Sequence, residues 1–500
     1  MNSDYIKIVK YFILFKSIQF LIVYSSPSEQ FDNSSTVLIE KFNDDKFLLL
    51  NSLPISNNFK NFIDNHIIRK ILNKFIVWDS VYFIKTAKLG RVEFEHEWVF
   101  GQLWCRLLNK ASCLITDSNT DSANFYVIII VGLIFNNLMH LLSCFLIHFL
   151  TIKNFLLDDS KKKLKKNLPL ICSLLTIVQP SGIFTTGIYS ESITQFLCFT
   201  GLALRELAIT EDYSHGNRNN KGDNFNIDKK FLYLASGLIF SISFGMRSNS
   251  ILYGLIYIND LLRINIKKLN FKKILNAIVI LASGSILFFS LIYSIYKPYV
   301  LYCPERGDWC GENDKFIDLN DLNFFKKWLI SYSQVHYWDV GFLAYFTNNN
   351  IPNFLIALPS SIILLLSCLC YCNNNKLSGI VILSSTYLFL QFTSWHVQII
   401  NRVMSFTPIY IWFVGELINN ENVYNKKLKE DSKNNNKNNL TGNKLDNSNK
   451  SNHEIIEELV TENQINYTVK INKFGKYIAR WWVIWVLCQT GLYACFLPPA

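Results

Sequence analysis

Five polar groups interrupt an otherwise apolar sequence, and their residue types suit acid–base and anion-binding chemistry. The first is Trp78-Asp79-Ser80, followed by Glu93, Glu95, His96 and Glu97 in RVEFEHEW. The second is Gln179, Tyr189, Ser190 and Glu191 around a QPSG break, and the third is Arg247 with Asn249. His336, Tyr337, Trp338 and Asp339 form the fourth; His396, Gln398, Asn401 and Arg402 form the last. A carboxylate can take the proton of an attacking hydroxyl, and guanidinium or imidazole groups can stabilise a departing phosphate. Each residue also has a plainer reading. Trp78 and Trp98 suit an interfacial belt. Glu191 suits the first turn of a helix capped by Ser190. Arg247 can snorkel, and His396 can be a satisfied core histidine. No Gly-rich phosphate loop, Walker motif or HExxH is present in the sequence.

The elements that must position these groups follow from composition. Of 500 residues, 50% are hydrophobic and only 17% charged, against about 25% charged in an ordinary soluble domain. The apolar residues are blocked into runs such as Phe125 to Leu150, long enough to cross about 30 Å of hydrocarbon at 1.5 Å per residue. A soluble globular enzyme, a disordered chain and a small disulfide scaffold are excluded. The expected fold is an all-α polytopic membrane protein. Apolar runs fall at Tyr11 to Tyr24 and near 125–150, 168–184, 188–208, 230–246, 249–263, 273–296, 353–372, 377–394, 403–419 and 478–497. That is about eleven spans, with QPSG and MRSNS as polar breaks inside longer runs.

Charge tests this count. The formal charge of +11 (49 basic minus 38 acidic) sits mostly between spans, as the positive-inside rule places it, so nucleic acid is not an expected partner. With the N-terminus in the cytosol, Lys161 to Lys166, then Arg218, Lys221, Lys229 and Lys230, then Arg263 to Lys273, and the stretch from Lys426 all fall on one side. All five polar groups fall on the other. The expected organisation is a signal anchor at 1–24, a long first luminal loop at 25–124 with amphipathic pieces around Phe62 to Trp78 and Phe100 to Leu108, and a multi-span core at 125–419 containing a luminal loop at 297–352. A disordered Asn/Lys-rich cytosolic linker at 420–476 and a last transmembrane helix at 477–500 complete it. Asn33 (NSS) is then the luminal glycosylation candidate, while Asn439 and Asn466 are cytosolic. Cys303 and Cys310 flank CPERGDWC in a luminal loop, where a disulfide closing the loop is expected. No cysteine spacing matches a zinc site.

WDSVYFIKTAKLG with FEHEWVFGQLW (Trp78 to Trp104) resembles the first luminal loop of the GPI mannosyltransferase 2 family. So do, in order, QPSGIFTTGIYSES, GMRSNSIL, YWDVGFLAYFTNNNIPNFLIALPS, HVQIINRVMSFTPIYIW and the closing RWWVIWVLCQTGLYACFLPPA. The resemblance implies a GT-C-class glycosyltransferase of the endoplasmic reticulum membrane, multi-pass with a luminal active site. Such an enzyme adds the second mannose, in α-1,6 linkage, to a glycosylphosphatidylinositol precursor from dolichyl phosphate mannose, with inversion. It implies Asp79 as general base. Trp78, Glu95, His96, Glu97 and Trp338 are then candidates for binding sugar, and Arg247, His396 and Arg402 for the phosphate leaving group. No cofactor or metal is called for. The implied partners are lipid substrates within the membrane, with a small accessory membrane subunit as a further candidate. Another dolichyl-phosphate-mannose transferase, a lipid-sugar transporter or scramblase, and a scaffold subunit are the alternatives.

Overall fold

A computed structural model describes residues 3–27, 32–42, 65–116, 123–156, 165–211, 225–264, 270–303, 308–310, 329–422 and 474–497. Most of the expected linker lies outside these residues, with Asn439 and Asn466, the 43–64 part of loop one, and residues 304–307 and 311–328 of the second long loop.

Apolar sequence becomes helix here because only a helix satisfies its own backbone away from water. The first helices are α1 (Ser3–Ser25), α2 (Ser34–Phe42), α3 (His66–Asn73), α4 (Asp79–Leu89) and α5 (Gln102–Thr116). They are followed by α6 (Phe125–Phe155), α7 (Leu168–Ile177), α8 (Glu191–Ala208), α9 (Lys230–Met246), α10 (Gly254–Leu262) and α11 (Phe271–Tyr302). The rest are α12 (Leu329–Trp338), α13 (Ile351–Tyr371), α14 (Ser378–Thr393), α15 (409–422) and α16 (474–494). Among the described residues α6, α11 and Asn348–Tyr371, which contains α13, are long and apolar enough to cross a membrane unaided. The other apolar runs carry helices that are shorter or less uniformly apolar. One departure from an all-helical chain is a short antiparallel ribbon pairing Ile209–Glu211 with Phe225–Ile227. Its alternation explains it, since Phe225 and Ile227 are buried and Asn226 between them is only half-buried.

The helices carry apolar side chains outward and polar ones inward. Phe288, Phe289 and Tyr293 of α11 and Leu355, Leu365 and Leu369 of α13 are exposed, whereas Asn136, Gln179, Gln195 and Asn401 are fully buried. Water would impose the reverse; this is the arrangement of a bundle surrounded by lipid. The centre is α8, which packs against α6 and α9; α11 lies behind α9, and α10 joins α11 to α14.

Between α7 and α8 the chain breaks, as the polar QPSG predicts. QPSG is expected as a polar break between apolar halves, and the structure buries all of residues 179–195. Irregular backbone survives at such a place only when protein groups satisfy it. Lys16 of α1 donates to the Thr185 carbonyl and, at 2.6 Å, to the Thr186 hydroxyl. Asn136 and Asn137 of α6 donate to the Phe184 and Thr186 carbonyls. Gln489 of α16 accepts from the Ile183 N–H, and Trp485 donates to the Pro180 carbonyl. Gly182 has φ 44°, and a Cβ there would collide with the Gln489 carboxamide. The lysine that interrupts the first apolar run is thus a backbone partner for the break. Ser190 makes no side-chain cap on α8, contrary to the expectation.

Candidate active site

Asp79 is the first residue of α4, a helix whose end is signalled in sequence by Gly90 at φ 67°. The residue before it, Trp78, has φ 54° and ψ −134°, a region that side chains other than glycine rarely enter and that costs about 1–3 kcal/mol. The surroundings impose it. The Ser80 hydroxyl accepts the Val77 N–H at 2.7 Å and donates to the Phe75 carbonyl at 2.8 Å. Tyr189 donates to the Val77 carbonyl at 3.1 Å. The Trp78 ring lies 5.2 Å from that of Phe496, just past α16. The chain is bent where Asp79 begins its helix.

Four charged groups from four elements meet at this bend. Arg402, in the short helical turn Ile400–Val403, places Nη2 2.5 Å from Asp79 Oδ2. Its Nε donates to Glu191 Oε1 at the start of α8. The same oxygen accepts from Nη1 of Arg247, which follows α9, at 2.7 Å. The Arg402 guanidinium also lies over the rings of Phe184 and Tyr189, 4.8 and 4.7 Å from their centroids. Side-chain exposure falls from 29% at Asp79 and 19% at Arg247 to 9% at Arg402 and 1% at Glu191. Asp79 therefore faces outward, where a substrate hydroxyl can reach it, and Glu191 anchors the inner end.

Several buried polar atoms here have no hydrogen-bond partner among the described residues: Trp78 Nε1, Glu191 Oε2, both amide atoms of Asn249, the Tyr387 hydroxyl and His396 Nδ1. Folded proteins leave few such atoms, so a concentration of them marks a place for water or a bound group. Burial opposes the charge of Arg402, but Asp79 and then Glu191 outweigh it and hold its pKa above the usual range. Burial pushes His396 below the usual imidazole range, with the Asp79 charge opposing. At neutral pH it is a neutral hydrogen-bonding group.

A second wall comes from loop one. Glu97 is buried and holds Lys85 at 2.6 Å while accepting the Glu93 and Phe94 N–H groups at 3.0 and 3.2 Å, so it braces the loop. Glu95 accepts from Trp309 at 3.1 Å and Tyr337 at 2.7 Å, tying loop one to the second long loop. There the structure joins Cys303 and Cys310 in a disulfide beside Trp309. His96 sits among the rings of Tyr82, Phe94 and Tyr337; burial lowers its pKa. Tyr82, on the Asp79 side of α4, stacks on Phe100 at 4.5 Å, and Trp338 meets Phe100 edge-on at 6.0 Å. Trp98 is buried with Tyr299 and Leu329 rather than lying at an interface. Asn33 is exposed immediately before α2. The structure thus brings Asp79, Arg247 and Arg402 together, places His396 within electrostatic reach, and sets Glu95, His96 and Trp338 on an adjoining wall. The sequence places Glu191 in the second polar group, with a helix-terminal charge as its plainer reading, and assigns it no role; the signal for one is a carboxylate directly following a break rich in polar residues.

The family described as mannosyltransferase (PIG-V) matches residues 5–382 and 375–500. GPI mannosyltransferase 2 of Saccharomyces cerevisiae is 31% identical over 500 residues, covering 98% of this chain and 98% of the relative. The proteins of that name from Candida glabrata and Candida albicans are each 30% identical, each match covering 99% of both chains.

Proposed function

The chain belongs to the mannosyltransferase (PIG-V) family, and on that premise we propose that it adds the second mannose, in α-1,6 linkage, to a GPI-anchor precursor. The donor in this reading is dolichyl phosphate mannose, and the site faces the lumen of the endoplasmic reticulum from a bundle of about eleven spans. The alternation of basic segments along the sequence supports that orientation.

The chemistry is an inverting displacement. The acceptor 6-hydroxyl oxygen forms a bond to the anomeric carbon as the carbon–oxygen bond to phosphate breaks on the opposite face. The hydroxyl proton passes to Asp79, and dolichyl phosphate departs with the bonding electron pair. Arg247 and Arg402 meet its negative charge, and neutral His396 offers a hydrogen bond rather than a full charge. Trp78, Trp338 and His96 supply aromatic surface against which sugar rings pack. Glu95 and Glu97 brace that wall.

The observation that carries this reading is an accessible carboxylate paired to an arginine that a second carboxylate also holds, among buried polar atoms lacking partners. Asp79→Asn tests it in microsomes. Transfer from dolichyl phosphate mannose to a single-mannose GPI acceptor should fall by about 10²–10⁴-fold with normal accumulation of protein. Transfer near the wild-type rate removes Asp79 as the base.

A further inference from the structure

We propose that Glu191 is a positioning residue that keeps Asp79 a competent base by holding Arg402 side-on and balancing the charge of the arginine pair. The inference rests on the assignment of Asp79 as base.

The geometry gives the reason. A guanidinium grips a carboxylate most strongly through two parallel N–H groups, and a carboxylate held that way binds protons weakly. Arg402 cannot grip Asp79 by its Nε edge, because Nε is engaged by Glu191 Oε1. Asp79 Oδ2 lies against Nη2 at 2.5 Å. Glu191 also engages Arg247 through the same oxygen, so one buried carboxylate fixes both cations while its Oε2 has no partner among the described residues. An unpartnered buried oxygen is uncommon and marks a place for water or a bound group. The groups that face Asp79 are Arg402, Arg247, His396 and the phenols of Tyr82, Tyr189 and Tyr493. At neutral pH only the arginines among them are charged. Two guanidiniums against Asp79 and Glu191 sum to zero; without Glu191 the sum around the base is one positive charge.

The consequence has a sign that a structural role does not produce. In Glu191→Gln the amide oxygen still accepts from the arginines, but the negative charge is gone. Asp79 then holds its proton less well, so the acid limb of kcat/KM against pH should move down by about one pH unit or more. kcat should fall at least about tenfold, while KM for dolichyl phosphate mannose falls too, because the arginines now attract its phosphate uncompensated. Glu191→Asp keeps the charge and shortens the reach, so kcat should drop with the acid limb in place. Should Glu191→Gln fail to accumulate, Arg247→Gln carries the same test with opposite sign: the limb moves up and the donor KM rises. An accumulating variant whose limb and donor KM both stay at wild-type values overturns the proposal, whatever its kcat. Failure of the underlying assignment is read separately, as Asp79→Asn transferring mannose at the wild-type rate.

Discussion

Two buried ion-pair clusters share helix α8 and are built from the same residue types, yet they are finished differently. At the start of α8 are Asp79, Arg402, Glu191 and Arg247. Fourteen residues on, about 21 Å along the axis, Arg205 donates to both oxygens of Asp260, through Nε at 2.7 Å. Tyr233 donates to Asp260 at 2.7 Å, and Arg205 Nη1 meets Glu206 at 2.6 Å. Asp260 is fully buried and the Arg205 side chain is 4% exposed. None of the polar atoms of Arg205, Asp260 and Tyr233 lacks a partner. The first cluster is graded in exposure, shares one arginine between two carboxylates, and has oxygens and amides unpaired among the described residues. A fully satisfied network holds helices together; a partly satisfied one is held open for something else.

The largest effect that tests this contrast is expected in the sealed cluster. Asp260→Asn leaves Arg205 buried without its bidentate partner, a change that costs about 3–5 kcal/mol. Accumulation and the melting temperature in detergent should both fall sharply, while mannose transfer per folded molecule stays within about twofold of wild type. The opposite pattern, intact melting with lost transfer, would make the sealed cluster the functional one.

A smaller effect is expected at its rim. Tyr233→Phe removes one hydroxyl from Asp260 but leaves the arginine grip, and should lower stability by about 1–2 kcal/mol, read as a modest drop in melting temperature. A loss as large as that of Asp260→Asn would mean that the tyrosine and not the ion pair holds α8, α9 and α10 together.

The difference between the clusters also explains what was legible in sequence. Helices such as α6 and α13 follow from apolar runs, because lipid leaves the backbone no alternative. Asp79, Arg247 and Arg402 stood out because charges are scarce beside apolar runs, and the family resemblance gave Asp79 its role. Helix α4 was missed: its helical stretch begins at a strained Trp78 with no capping side chain, so only Gly90 marks it. The buried form of the QPSG break was also out of reach. Its carbonyls are satisfied by Lys16, Asn136, Asn137 and Trp485, as distant in sequence as 305 residues for Trp485 and Pro180. The same holds for Glu191. Whether a carboxylate at a helix start is a local charge or the keystone of an arginine pair depends on Arg402, 211 residues away.

The smallest effect decides how many cations the open cluster contains. Burial lowers the pKa of His396, against the pull of Asp79. A histidine whose folded-state pKa lies below its unfolded value near 6.5 binds its proton first in the unfolded chain. Stability is therefore lost as pH falls from about 6.5 towards the folded value and is level above that window. His396→Gln has no such proton to take up. The melting temperature of the wild type, measured relative to His396→Gln, should be constant above pH 7 and decline as pH is lowered towards 5.5. If the wild type instead gains on the variant in that window, the folded protein prefers imidazolium. The open cluster would then hold a third cation, and its contrast with the neutralised Arg205–Asp260 pair would be one of charge as well as of unpaired atoms.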